Sequence, residues 1–543
     1  MGRSVAFTVA VTVAVAVTVT VSARCDTSVT PDSRSDELGV VAAGHPVSAA
    51  AGADALREGG NAVDAALAAM LASFAAEPLL TGLGAGGYML VVAPGQAPTL
   101  LDFFVEAPGR ESGPTPRADL LPVRISFGDA VQTFNIGVAS VGCFGMPAGV
   151  CEASRRFGRM ALQTLVAPAA RLAREGVELN VQQAYIVELL GGIVTSTPES
   201  SALFAPEGQL LHAGQRIYQP ELADSLERLG AEGARPFYEG DIGAAIAAWV
   251  GGRGGLLARS DLEAYKVIDR PPLEVSYRGS EVLINPPPSA GGLLIARALA
   301  LLGETKGPPT VAELVAVMER VQGERTAEFV DGLDDPEFGA RFLRGDPAPP
   351  AAAGRRPGPS RLGSTTHIAV LDQEGWACSV TCSNGSASGV IVPGTGVHLN
   401  NMLGEQDLNP HGFHRYAPGR RMPSMMAPTV VRRDGAPVLA VGSAGSNRIR
   451  SAILQTIIRA IDEGVTAAEA VDAPRVHWED GVVYTEPGID SSALAESGCE
   501  LAPFRERNLF FGGVQAAARD AGGRFSGGGD PRRGGASILV SPA

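Results

Sequence analysis

The chain has 543 residues, 45% of them hydrophobic, with 58 acidic against 44 basic side chains and a formal net charge of -14. That length supports a large buried core, and the acidic balance excludes a nucleic-acid partner, which needs a basic field to hold phosphates. Six cysteines (Cys25, Cys143, Cys151, Cys378, Cys382 and Cys499) form no CxxC pair and no zinc spacing. They read as buried small hydrophobes, not as a disulfide framework or a metal site.

In chain order, residues 1–37 read as a leader or signal-like segment. Arg3 precedes an apolar run from Val5 to Val21, and Val21-Ser22-Ala23 resembles a small-residue cleavage site. This favours an exported protein, extracellular or at the cell surface, over a cytoplasmic one. No later segment offers about 18 uninterrupted apolar residues, so membrane contact is expected only through that N-terminal signal.

The folded body starts near Leu38. Gly39–Ala43 predicts a strand. Ser48 to Ala76 predicts helix, broken at Gly59-Gly60-Asn61, with Asn61 as the N-cap of the second half. Gly82 to Gly87 (GLGAGG) leads into a strand over Tyr88–Val92, and Leu100–Val105 predicts the next. From Met146 to Leu302 helical stretches alternate with turns. Leu162–Glu175 and Pro220–Leu229 are amphipathic, and Pro286 to Gly292 (PPPSAGG) makes a rigid turn before a helix ending at Leu302. Residues 345–364 have the Pro/Gly/Ala composition of a flexible linker. Thr366–Leu371 then alternates as a strand, turns at Asp372 to Gly375 and returns through Ala377–Thr381. Pro428–Val431, Val438–Gly442 and Val483–Glu486 predict further strands, and Ile449–Glu463 a helix.

A threonine opening a strand straight after a linker has a chemical reading. Cutting the Ser364–Thr365 bond would give Thr365 a free α-amine. Its hydroxyl would then have a general base on the same residue, and no His/Asp pair is needed. Thr-Thr is equally ordinary strand sequence. The run Gly442-Ser443-Ala444-Gly445-Ser446-Asn447-Arg448 lies between a strand and a helix, where backbone N–H groups suit a developing negative charge. It lacks the phosphate-loop Lys-Ser/Thr, and GLGAGG precedes a strand where a dinucleotide loop follows one.

Taken in order, these segments resemble the γ-glutamyltranspeptidase family of N-terminal-nucleophile hydrolases. The resemblance rests on EGGNAVDAA from Glu58, GLGAGGYML from Gly82, PPPSAGG from Pro286 and STTHIAVLD from Ser364. PGTGVHLNN from Pro393, APT from Ala427 and GSAGSNRI from Gly442 complete it. It implies an α/β (α+β) four-layer αββα sandwich. It also implies autocatalytic cleavage of a zymogen into chains 38–364 and 365–543, which stay together as a heterodimer. Thr365 would be the nucleophile, and the N–H groups of Gly445 and Ser446 would line the oxyanion hole. Ser383 would hydrogen-bond Thr365 and aid cleavage at Ser364–Thr365. Glu405 would hold a substrate amine, with Asn384 and Ser424 contacting substrate. The substrate class is a small-molecule amide or peptide, with water or an amine as acceptor. Threonine, its amine and backbone donors suffice for acyl transfer, so no cofactor or metal is implied.

The sequence departs from that family where the pocket should grip an α-carboxylate. Phe104 stands where the family has an arginine, which costs the pocket a bidentate, always-charged partner. Met425 replaces the second serine of the carboxylate site, and Met402 replaces a polar residue. Arg420, Arg421 and Arg448 are the candidates to compensate. The leading expectation is action on γ-glutamyl amides such as glutathione, by hydrolysis or transpeptidation. The alternatives are a related acylase or biosynthetic amidohydrolase with a non-γ-glutamyl substrate, or a non-catalytic binding relative.

Overall fold

A computed structural model of the chain describes residues 36–112, 118–126, 131–345, 364–495 and 499–542. The expected leader and the expected linker lie almost wholly outside these residues.

The body begins with strand β1 (Gly39–Ala43) and helices α1 (Pro46–Arg57) and α2 (Ala62–Ala76). Asn61 starts α2 as its local chemistry demands. Its side chain accepts from the N–H groups of Val63 (2.9 Å) and Asp64 (3.1 Å), and the Asp64 carboxylate accepts from the Asn61 N–H (3.0 Å). This reciprocal capping box satisfies donors the helix itself cannot. Every residue of α2 is buried. A helix apolar on all sides needs partners on all sides, and α1, helix α3 (Leu162–Glu175) and a sheet supply them.

That sheet contains β2 (Gly86–Val92), β3 (Thr99–Phe103) and β4 (Ile268–Arg270). The second sheet begins with β5 (Leu273–Tyr277) and β6 (Ser280–Ile284), which lead into helix α4 (Ala290–Gly303). The long hairpin β7 (Ser364–Asp372) and β8 (Ala377–Gly385) fills the centre of the first sheet. Then β9 (Thr429–Arg433), β10 (Ala436–Ala444), helix α5 (Arg448–Ile458), β11 (Gly513–Arg519), β12 (Phe525–Gly529) and β13 (Ala536–Val540) complete the frame. The first sheet runs β13-β1-β7-β8-β2-β3-β4 and the second β12-β11-β10-β9-β6-β5, with antiparallel neighbours throughout both.

Strand β7 shows how the layers stack. Ile368 and Val370 join the core under α1 and α2, while Ala369 and Leu371 join the core against the second sheet and α5. Side chains alternate faces along a strand. Both faces of β7 are covered, so all nine residues are buried. The layers are helix, sheet, sheet, helix, as expected.

Several boundaries differ from the sequence reading by a few residues, and two of these have a clear local cause. The strand expected over Leu100–Val105 stops at Phe103, because the Asp102 carboxylate takes the Phe104 N–H (3.0 Å) and bends the chain. The helix expected over Ile449–Glu463 ends its α-form at Ile458. A π-turn over Arg459–Glu463 follows, closed by Gly464 at φ 66°. In the GLGAGG run, a Cβ on Gly87 would lie 2.6 Å from the Thr381 carbonyl oxygen. Close approach of β2 to β8 therefore accounts for that glycine. Among the described residues no helix is long and apolar enough to cross a membrane.

Candidate active site

The Ser364–Thr365 peptide bond lies at the start of β7, and the register with β8 shifts at that bond. Asn384 on β8 is the extra residue at that shift, and such an irregularity re-aims side chains. Thr365 is buried, and its hydroxyl donates to Ser383 Oγ at 3.0 Å. Ser383 in turn donates to the Ser364 carbonyl oxygen at 2.7 Å and accepts from the Gly385 N–H at 3.0 Å. One hydroxyl thus touches both the attacking oxygen and the carbonyl it would attack. Antiparallel pairing makes this possible, since Ser383 is the register partner of Thr365.

A pocket opens above Thr365. It is lined by Thr365, Ser383 and Gly385 from the hairpin, Phe104 from the bend after β3, and Ser446 and Ile449 from the start of α5. Two loops, one with Met402, Glu405, Asp407 and Leu408 and one with Ser424, Met425 and Met426, close it. The PPPSAGG turn positions the second loop. Ser289 Oγ and Asn285 Nδ2 both donate to the Met426 carbonyl (2.8 and 2.9 Å), and the Ala290 N–H donates to the Ser424 carbonyl (2.9 Å). The Met426 N–H donates to Ser424 Oγ at 3.0 Å, which fixes that hydroxyl.

The turn after β10 carries Gly445 at φ 123° and Ser446 at φ 53°. A serine in the left-handed region is uncommon and marks a constrained turn. The carbonyls of Gly445 and Ser446 accept from the Arg448 and Ile449 N–H groups (3.0 and 3.1 Å), so both residues lead straight into α5. Helix N-termini favour negative charge. Ser446 Oγ lies 3.4 Å from Asp407 Oδ2.

Most residues singled out from sequence converge here: Thr365, Ser383, Ser446, Glu405, Ser424, Met425, Met402 and Phe104 all line one pocket. Gly445 stands beside Ser446. Asn384 does not join the lining. Its amide donates to the His398 carbonyl (3.2 Å), and Gly385 occupies the wall instead. Glu405 Oε1 accepts from the Ser386 hydroxyl (3.0 Å) and N–H (3.2 Å).

Phe104 is fully buried and stacks on Tyr88, with ring centroids 5.4 Å apart. The three arginines named as substitutes are engaged elsewhere. Arg421 pairs with Asp102 (3.4 Å) and Glu106 (3.5 Å) and donates to the Phe104 carbonyl and the Tyr265 hydroxyl. Arg420 pairs with Asp334 (2.6 Å), and Arg448 donates to the Phe510 carbonyl (3.1 Å) and stacks over that ring. None of them lines the pocket. Asp407, Leu408, Met426 and Ile449 were missed by the sequence reading. Asp407 and Met426 stand two residues and one residue from positions already named, and that adjacency was the available signal. Among the described residues no cluster of three or more His, Cys, Asp or Glu is placed to hold a metal.

The profile described as Gamma-glutamyltranspeptidase matches residues 48–540. The chain is 32% identical over 533 residues to a glutathione hydrolase proenzyme of Escherichia coli strain K12, covering 91% of this chain and 90% of that protein. It is 31% identical over 532 residues to an acylase ACY 1 proenzyme of Pseudomonas sp. strain V22, covering 93% and 94%. Among solved structures it is similar to a cephalosporin acylase from Bacillus halodurans, with a TM-score of 0.78 and 26% identity over 95% of this chain and 98% of that one. The αββα layers, the motifs in order and a match across nearly the whole body lead to one conclusion: this chain is an enzyme of the γ-glutamyltranspeptidase family, within the N-terminal-nucleophile hydrolases.

Proposed function

We propose that the chain is a proenzyme that cuts itself between Ser364 and Thr365, then uses Thr365 to hydrolyse or transfer the acyl group of an amide whose acyl part is largely apolar. The hydrogen-bond chain from Thr365 through Ser383 to the Ser364 carbonyl carries this reading. Thr365 Oγ1 attacks the Ser364 carbonyl carbon as its proton passes to Ser383 Oγ, while the Ser383 proton goes to the carbonyl oxygen. The proton on that oxygen then passes to the Thr365 nitrogen as the C–N bond breaks, leaving an ester with a free Thr365 amine. Water hydrolyses the ester, giving a chain ending at Ser364 and a second chain starting at Thr365, held together by the pairing of β1 with β7 and of β2 with β8. In turnover the amine takes the hydroxyl proton, Thr365 attacks the substrate carbonyl, and the Gly445–Ser446 turn faces the developing oxyanion. The amine then protonates the leaving group. Water or an acceptor amine releases the acyl group and restores Thr365.

The acyl preference is supported by Phe104, Met402, Met425, Met426, Leu408 and Ile449, which make most of the wall apolar. A γ-glutamyl substrate is the second reading, favoured by Glu405 in the same pocket. Relatives named as acylase and as glutathione hydrolase proenzymes are compatible with both. Intact-mass analysis of the purified protein should give two chains with Thr365 as a new N-terminus, and Thr365→Ala should stay uncut and inactive. Parallel assays with hexanoyl and γ-glutamyl p-nitroanilides decide the substrate class. Faster release from the γ-glutamyl compound would overturn the acyl preference and leave the nucleophile intact.

A further inference from the structure

Behind the nucleophile strand lies a carboxyl group that the chemistry above does not use. Glu77 caps the C-terminus of α2, its N–H donating to the Ser73 carbonyl at 2.7 Å. The residue is 1% exposed. Thr366 Oγ1 lies 3.1 Å from both of its carboxyl oxygens. The site is close-packed, since a Cβ on Gly44 would lie 2.5 Å from both Glu77 Oε1 and Thr366 Oγ1. Thr366 directly follows Thr365, so the carboxyl grips the nucleophile strand one Cα step, about 3.8 Å, from the attacking residue. Arg533 links this region to the oxyanion turn. It is 5% exposed, and its Nη2 lies 3.6 Å from where a Cβ on Gly445 would be.

We propose that Glu77 is a positioning residue whose proton sets the alkaline limit of acyl transfer at Thr365. The inference rests on the reading of Thr365 as nucleophile. As a neutral acid, Glu77 anchors Thr366 and adds no charge beneath the strand. As a carboxylate it puts a negative charge in a medium that screens poorly. That charge opposes the oxyanion and favours the protonated form of the Thr365 amine, which then cannot act as base. Both effects slow turnover as pH rises. Burial raises the Glu77 carboxyl to about 8, against the opposing pull of the Thr366 hydrogen bond and the Arg533 charge.

The other groups around it titrate elsewhere. Burial pushes the Cys382 thiol up to about 12 and the Arg533 guanidinium down to about 10. His45, next to Gly44, is pushed down to about 4. A bell-shaped profile is therefore expected, with the Thr365 amine on the acid side and Glu77 on the alkaline side.

The test is kcat/KM between pH 6 and 10 for processed wild type, Glu77→Gln and Thr366→Val, with whichever anilide the wild type turns over faster. Glu77→Gln keeps the shape and one hydrogen bond but cannot ionise, so its alkaline midpoint should rise by at least one pH unit. Thr366→Val removes a bond that favours the carboxylate, so its midpoint should also rise, by less than that of Glu77→Gln. Should Glu77→Gln fail to mature, the Thr366→Val midpoint decides. An alkaline midpoint equal to wild type in the variants that mature would overturn the inference while leaving Thr365 its role. A Thr365→Ala chain that is still cut would instead overturn the reading beneath it, and this inference with it.

Discussion

Phe104 and Ser383 show how single side chains divide chemistry from specificity. Ser383 contacts the Thr365 hydroxyl and the Ser364 carbonyl together, so under the proposed mechanism its loss should act on self-cleavage first. Removing one donor from a developing oxyanion costs about 10²- to 10³-fold in rate. Ser383→Ala should slow maturation on a gel time course by about that factor, with an unchanged melting temperature. Phe104, which the family resemblance sets at the place of a carboxylate anchor, has an aromatic neighbour, Tyr88, to pack on. Restoring a guanidinium with Phe104→Arg should raise kcat/KM for the γ-glutamyl anilide at least about tenfold, equivalent to about 1.4 kcal/mol, and lower that for the hexanoyl compound. A variant with unchanged selectivity would show that Phe104 only packs. Phe104 was visible in the sequence as a departure. That Arg421 would be consumed by Asp102, Glu106 and Tyr265 was not, because those partners are brought in from distant parts of the chain.

Helix α2 and the hairpin β7–β8 were the most legible elements, since each declares itself by local chemistry. An Asn before an apolar run and an Asp three residues on predict the capping box, and alternation around a tight turn predicts the hairpin. Asn61 also donates to the Phe157 carbonyl at 2.7 Å, a contact 96 residues away in sequence. Asn61→Ala should therefore cost at least the usual cap loss of about 1–2 kcal/mol, read as a lower midpoint in urea unfolding. The elements misjudged in extent ended for non-local or subtle reasons. The chain leaves β3 at Phe103 because Asp102 captures the next N–H, and α5 relaxes into a π-turn before Gly464.

Across the molecule, burial of ionisable groups sets how stability responds to pH. His367 is pushed down to about 3 by burial, and His45 and His398 to about 4, from 6.5. Their unfolded forms bind protons that the fold refuses, so stability is lost as pH falls below 6.5. Glu77 works in the opposite direction. Its folded value of about 8 lies above the ordinary 4.5, so the fold holds a proton that the unfolded chain has released. That preference is present below pH 4.5 and lost as pH rises through 8. Between 4.5 and 6.5 these histidines, joined by His477, which burial also lowers, outweigh the carboxyls that burial raises, Glu77, Glu106 and Asp372, and stability rises. From 6.5 to 8 the unfolded histidines are largely neutral while Glu77 still holds its proton in the fold, so this carboxyl lowers stability by up to about 1.4 kcal/mol per pH unit. The melting temperature should peak near pH 6.5 in a buffer series, and Glu77→Gln should remove the decline above it.

The order of motifs along the chain was enough to assign the family, the layered fold and the identity of Thr365 as the residue to watch. Those properties are written in local patterns: caps, alternation, glycine turns and their spacing. The tertiary structure alone decided which groups meet. Thr366 and Glu77 are 289 residues apart, and no periodicity links them. Ser383 reaches Thr365 because β8 folds back with a register shift at the Ser364–Thr365 bond. The pocket wall draws on five separate segments whose convergence depends on how two sheets stack. Sequence patterns report what each segment buries, whereas the chemistry depends on which buried faces are turned toward one another.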